Sequence, residues 1–190
     1  MIKIALVGNI ASGKSTVEKT LRELKYPVLD TDIVAHKLLD NNFEIIEAFK
    51  NYDILTDGNI SREKLGKVVF SDVKLKQKLE SILHPQIREK IQDFFSSHAG
   101  NEFTFVSIPL LFEANMTDLF DKILFIYTND DIRLQRLIKR NNYSKEYALK
   151  RMNSQISQDK KVKKADWIIY NNSTVEDLQK NVIKLIEQIR

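Results

Sequence analysis

The octet Gly8-Asn9-Ile10-Ala11-Ser12-Gly13-Lys14-Ser15 carries the residue types, at the spacing, that close on a phosphate: it fits GxxxxGK[ST], the P-loop pattern. Two glycines let the backbone fold tightly with its N–H groups pointing inward, where they surround the β-phosphate of a nucleotide. Lys14 reaches the β- and γ-phosphates, Ser15 offers a hydroxyl to Mg²⁺, and the nucleotide-binding run extends from Gly8 to Thr16. A helix beginning near Gly13 aims the positive end of its dipole at the same anion.

A second set of chemical groups follows about one strand-helix step later. Tyr26-Pro27-Val28-Leu29-Asp30 reads as a short strand ending in Asp30-Thr31-Asp32, at the carboxyl edge where open α/β sheets bind ligands. Alternation along an extended chain turns Asp30 and Asp32 to one side, and two such carboxylates suit Mg²⁺ or an acidic hydroxyl between them. The competing reading makes Asp32 the N-cap of the segment Ile33 to Leu39. Many P-loop ATPases and GTPases carry a Walker B aspartate at the end of a neighbouring strand. Here Ile108 and Pro109 hold that place, which leaves the metal to other carboxylates.

Arg133, Arg136 and Arg140 are spaced i, i+3 and i+7 on one predicted helix, placing three guanidinium groups on one face, suited to phosphoryl oxygens. A following helix starts at Ser144 and carries Arg151 and Gln155; the cluster Lys160-Lys161-Val162-Lys163-Lys164 then reads as a solvated face. Such a basic hairpin beside a P-loop is expected to be a lid that closes over triphosphate, against the alternative of a salt-bridged surface hairpin. His84, just before Pro85, reads as a structural residue at a helix junction in preference to a base. His36 and His98 have no partners at metal-ligand spacing.

These groups need an α/β frame. Apolar runs at Ile2 to Val7, Tyr26 to Asp30, Phe103 to Ile108, Lys122 to Tyr127 and Asp166 to Tyr170 predict five core strands. From Asn41 to about Gly100 the pattern is helical with no convincing strand: Phe43 to Lys50, a turn at Asp57-Gly58, a helix capped by Ser61, one from Asp72 to Leu83 stopping before Pro85, and one from Gln86 to Ser97. The last helix opens with a Ser173–Glu176 capping box and stripes Val175, Leu178, Val182, Leu185, Ile186 and Ile189 on one side.

The 190 residues suffice for one sizeable core, and the absence of cysteine excludes a disulfide framework and any thiolate zinc site. The first apolar run is too short for a secretory signal, and none approaches the ~20 residues of a membrane span, so a soluble, cytoplasmic protein is expected. The net charge of +4 comes from interspersed basic and acidic residues; polyphosphate substrates account for it, and no nucleic-acid or membrane partner is expected.

The ordered set of segments closely resembles the dephospho-CoA kinase family over nearly the whole chain. It comprises the P-loop, Asp30-Thr31-Asp32 with Ala35-His36, Asp57 to Arg62 through Leu65 to Phe70, Leu83-His84-Pro85, Pro109-Leu110-Leu111-Phe112-Glu113, Arg136-Leu137 to Arg140, Arg151 with Gln155, and Ala165-Asp166 leading to Asn171. The resemblance implies an α/β, P-loop nucleoside-triphosphate-kinase-like fold with a five-stranded parallel sheet in the order 2-3-1-4-5. Residues 1–32, 101–129 and 165–190 would form the core, 33–100 a helical substrate insertion, and 130–164 the lid.

It further implies ATP and Mg²⁺ as cofactors and phosphorylation of the ribose 3′-hydroxyl of dephospho-CoA, the last step of coenzyme A synthesis, by a monomer or small homo-oligomer. Asp32 would be the general base and Asp30 a metal support. Arg62, His84 and Arg88 would lie near dephospho-CoA, Arg136 and Arg140 in the lid, and Asn171 near adenine. Three features depart from the family pattern: Arg133 in place of a common Gln, Ser173 in place of Gly, and Asn9-Ile10-Ala11 where more glycine is usual. The competing functions are a kinase for another small hydroxyl or nucleoside monophosphate, and a non-catalytic GTPase-like binding module. No NKxD-like guanine-reading segment supports the latter.

Overall fold

Ile4, Ala5, Leu6 and Val7 are fully buried, as a strand covered on both faces demands. In the computed structural model, which describes residues 1–190, they form the centre of β1 (Ile2–Gly8), followed by α1 (Lys14–Glu23) and β2 (Val28–Asp30). Next come α2 (Thr31–Leu39), α3 (Phe43–Ala48), the short strands β3 (Leu55–Thr56) and β4 (Asn59–Ile60), α4 (Arg62–Ser71) and α5 (Val73–Ser97). The chain then runs through β5 (Phe103–Ser107), β6 (Lys122–Tyr127), α6 (Asp130–Asn141), α7 (Lys145–Asn153), α8 (Gln158–Val162), β7 (Trp167–Tyr170) and α9 (Val175–Ile189).

Five strands form one sheet in the order β2-β5-β1-β6-β7, the order that the family resemblance implies. β1 runs parallel to both β5 and β6, with Ile4 opposite Phe105 and Lys122, and β7 runs parallel to β6. One face of the sheet is covered by α1 and α9, whose Val17, Leu21, Leu178, Val182 and Ile186 bury against Ile4, Leu6, Phe105, Leu124 and Ile126. At ~1.5–3 kcal/mol for each large apolar side chain removed from water, this interface fixes the C-terminal edge of β1, from which the P-loop leaves.

The chain divides into two compact units, Met1–Leu29 with Ser97–Arg190, and Asp30–Ser96. The second unit differs from the sequence expectation in two places. It is not purely helical: β3 and β4 pair antiparallel across Asp57 and Gly58, whose φ values of 50° and 79° are those of a two-residue hairpin turn. Each strand has only two residues, too few to leave an alternating pattern. Nor does Pro85 end a helix, because α5 runs through it. The lost backbone bond costs about 3 kcal/mol, which the buried row Ile82, Leu83, Ile87, Ile91 and Phe95, lying on both sides of the proline, outweighs.

One helix start also shifts. Thr174, not Ser173, caps α9, its hydroxyl accepting from the Asp177 N–H, while Ser173 Oγ donates to the Asp177 carboxylate at 2.6 Å. Val175 consequently stays exposed instead of joining the buried stripe. No helix is long and apolar enough to cross a membrane.

Candidate active site

The loop between β1 and α1 is built around its two glycines. A Cβ on Gly8 would stand 2.3 Å from Ser12 Oγ, and one on Gly13 would stand 2.2 Å from Nδ2 of Asn171; Gly13 also sits at φ 95°. Neither position admits a side chain. Gly13 is the N-cap of α1 and offers no side-chain cap; the Thr16 N–H turns back to the Gly13 carbonyl at 3.0 Å, and the N–H groups ahead of it are left for an incoming anion.

The loop is braced from behind. Asn171, at the end of β7, donates Nδ2 to the Ser12 carbonyl at 2.7 Å, and Thr128 Oγ1 donates to the same oxygen at 2.9 Å. Arg136 in turn donates to the Asn171 backbone carbonyl at 3.2 Å. Gln155 Oε1 accepts from the Ile10 N–H at 2.8 Å, Asn9 Nδ2 donates to the Ile156 carbonyl at 2.9 Å, and Arg133 Nε donates to the Ile10 carbonyl at 2.9 Å.

The expected trio of arginines is therefore not a single open face. Arg133 is buried, paired with Asp130 at 2.7 Å and used as a strut under the loop. Arg136 is half-buried, and Arg140 is exposed with Nε on Asn141 Oδ1. The apolar departures in the loop have a physical reason too: Ile10 and Ala11 pack on the Leu137, Ala148 and Met152 cluster of α6 and α7. Ala11 sits there at φ 63°, a conformation that usually falls to glycine.

Lys14 is held by two groups that the motif does not announce. Its Nζ lies 2.9 Å from Glu18 Oε1 and also donates to Ser107 Oγ, and that hydroxyl donates to Glu18 Oε1 at 2.6 Å. Glu18 and Ser107 are buried. Burial pushes the Glu18 carboxyl up, but the Ser107 hydroxyl and the charges of Lys14 and Arg22 outweigh it and hold the group below its ordinary value. The i, i+4 spacing of Lys14 and Glu18 was the one available signal. β5 ends at Ser107, so the strand-end residue facing this cluster is a serine.

Lys161 corrects a further expectation. It does not lie on a solvated face: its side chain is 0% exposed and pairs with Glu113 at 2.8 Å. Glu113 Oε1 also accepts from the Ile156 N–H at 3.1 Å, which links this pair to the strut on Asn9.

The remaining candidates belong to the other compact unit. Asp30 is the N-cap of α2, its Oδ1 accepting from the Asp32 N–H at 2.9 Å. The helix starts at Thr31, so Asp30 and Asp32 do not alternate along an extended chain, and Asp32 is an exposed first-turn residue and not the cap. Arg62 opens α4 and is exposed, whereas His84 and Arg88 lie one turn apart on α5, both half-buried. Burial pushes His84 down, reinforced by Arg88 and opposed by Glu80.

A nucleotide fits these residues. The uncapped α1 N-terminus, the Gly8 and Gly13 turns and Lys14 supply donors and positive charge, and Ser15 is exposed at the second position of α1. No three acidic or imidazole side chains converge on a metal-sized site, and Mg²⁺, which keeps several waters and shares phosphate oxygens, needs no such cage. Ser15 is the loop residue whose hydroxyl is placed to hold it.

A parallel sheet in this order, with such a loop after its first strand, defines a P-loop kinase-type phosphate-binding protein. The chain belongs to the dephospho-CoA kinase family, whose family model matches residues 2–177. It is 42% identical to the dephospho-CoA kinase of Listeria monocytogenes, covering 97% of this chain and 96% of that one. With the Geobacillus kaustophilus enzyme it shares 38% identity over 98% and 96% of the two chains. The solved dephospho-CoA kinase of Campylobacter jejuni superposes with a TM-score of 0.78 at 34% identity, over 98% of this chain and 96% of that one. Shikimate kinase from Acinetobacter baumannii shares the fold, at a TM-score of 0.58 and 18% identity, over 100% and 95% of the chains.

Proposed function

We propose that this protein transfers the γ-phosphoryl group of ATP to the ribose 3′-hydroxyl of dephospho-CoA, giving CoA and ADP. The carrying observation is the family match over residues 2–177 on a chain whose P-loop helix is left uncapped beside Lys14. Catalysis of such transfer is mostly positioning and charge neutralisation. Lys14 and the N–H groups at the start of α1 bind the phosphates in the Gly8–Thr16 run, whose outer turn is held by Asn9 on the Ile156 carbonyl and by Gln155 and Arg133 on Ile10.

Mg²⁺ would supply charge neutralisation to the phosphoryl oxygens, with the Ser15 hydroxyl to hold it and Asp30 as its supporting carboxylate. Asp32 accepts the proton of the attacking hydroxyl. Arg62, His84 and Arg88, on the helices of the second unit, bind dephospho-CoA, and Asn171, buried against the Ser12 carbonyl, serves the adenine side through the loop it braces. Residues 130–164 act as the lid, from which Arg136 and Arg140 serve the transferring phosphoryl group once they leave their present partners, the Asn171 carbonyl and Asn141. The enzyme is assigned to the cytoplasm. An acceptor screen for ADP release tests the reading: activity should require dephospho-CoA, and activity with another alcohol or nucleoside monophosphate instead would overturn it.

A further inference from the structure

Helix α1 turns Lys14 and Glu18 to one face, a single turn apart. β5 delivers Ser107 against both, so the three polar atoms close a triangle: Lys14 Nζ donates to Glu18 Oε1 and to Ser107 Oγ, and Ser107 Oγ donates to Glu18 Oε1. Arg22 Nη1 approaches the second carboxylate oxygen at 3.4 Å. The Glu18 side chain is only 6% exposed. A charge in such a place costs several kcal/mol in desolvation that its partners must offset, and a hydrophobe of similar volume would serve packing at least as well. Stability alone gives no reason for a carboxylate there.

A functional reason follows from where the triangle lies. P-loop enzymes of the Walker B type bring an acidic residue to the phosphate site from the end of a neighbouring strand. In this chain the strand beside β1 ends in Ser107, a hydroxyl that cannot balance the Lys14 charge. The carboxylate that meets both Lys14 and the strand end comes from the helix instead. We propose that Glu18 is a positioning residue for the phosphate site, supplying from α1 the negative charge that strand-end enzymes supply from the sheet, with Ser107 as the bridge between the two. It holds the Lys14 side chain in one place before nucleotide arrives, so that less conformational freedom is lost on binding.

The inference rests on nucleotide binding at this loop and not on the identity of the acceptor. Calorimetric titration with ATP, run without acceptor, therefore separates its failure from failure of the dephospho-CoA reading. Glu18→Ala and the isosteric Glu18→Gln should both weaken ATP binding roughly tenfold, the loss expected when a charged hydrogen-bond partner goes. The double variant Glu18→Ala, Ser107→Asp returns a carboxylate from the strand end into the space vacated, and it should recover most of the lost affinity. Thermal melts run alongside report folding. The proposal is overturned if Glu18→Gln binds ATP as tightly as the unaltered protein, or if the double variant regains its melting temperature without regaining affinity.

Discussion

Asn171 occupies the space that a side chain on Gly13 would need: its Nδ2 is 2.2 Å from where that Cβ would stand, and it donates instead to the neighbouring Ser12 carbonyl at 2.7 Å. An asparagine at the end of β7 thus shapes the turn into α1 from outside the motif. The second signature glycine is needed both for its φ of 95° and for this close approach.

Gly13→Ala should lower folding stability by about 1–3 kcal/mol through backbone strain and weaken ATP binding, because the Asn171 brace must shift. Denaturant unfolding with calorimetric titration checks both. Unchanged stability would mean that the loop relaxes freely and that the close approach is not a constraint.

Breaking the Glu113–Lys161 pair from either side should destabilise the fold by about 3 kcal/mol, because a buried charge is left without its partner. Glu113 keeps 22% of its side-chain surface exposed, so Lys161→Met should cost less than Glu113→Gln, which strands the fully buried ammonium. The double variant Glu113→Gln, Lys161→Met should be milder than the sum of the two changes. A double-mutant cycle measured by urea unfolding gives the coupling; simple additivity would show that the pair is not coupled.

Asp32→Asn should reduce turnover by ~10²–10⁴, the usual contribution of a positioned base, while ATP affinity stays nearly unchanged. Single-turnover rates beside nucleotide titrations make the comparison. A turnover close to that of the unaltered enzyme would remove Asp32 from the mechanism.

His84 has its folded-state pKa held down by burial. The folded chain therefore resists a proton that the unfolded chain accepts near pH 6.5, so the group's contribution to stability is present above that value and is lost as the pH falls below it. At neutral pH His84 is therefore an uncharged, hydrogen-bonding side chain. His84→Gln should flatten the stability profile between about pH 5 and 7; an unaltered profile measured by urea unfolding would contradict the assignment.

The sheet was legible because its strands are short apolar runs that only a sheet covered by helices could bury, and the P-loop because its chemistry fixes residue type and spacing together. Arg133 and Lys161 were not. A charged residue on a polar helix reads as solvent-facing until a partner far along the chain comes into view, here the Ile10 carbonyl and Glu113. Glu18 was hidden for the same reason, since Ser107 reaches it only through the β1–β5 pairing. Pro85 misled because local propensity argues for a break, while the buried row on both sides of it favours one helix. At Asp30 and Asp32 the helix α2 starts two residues earlier than the capping alternative has it, which gives the cap to Asp30 and not to Asp32.

The most direct test of the central claim is the identity of the product. Incubation with ATP, Mg²⁺ and dephospho-CoA, followed by mass spectrometry and ³¹P NMR, should yield ADP and an acceptor carrying one additional phosphoryl group as a monoester at the ribose 3′-position. ATP consumed without a phosphorylated acceptor, or a phosphoryl group found at another hydroxyl, would contradict it.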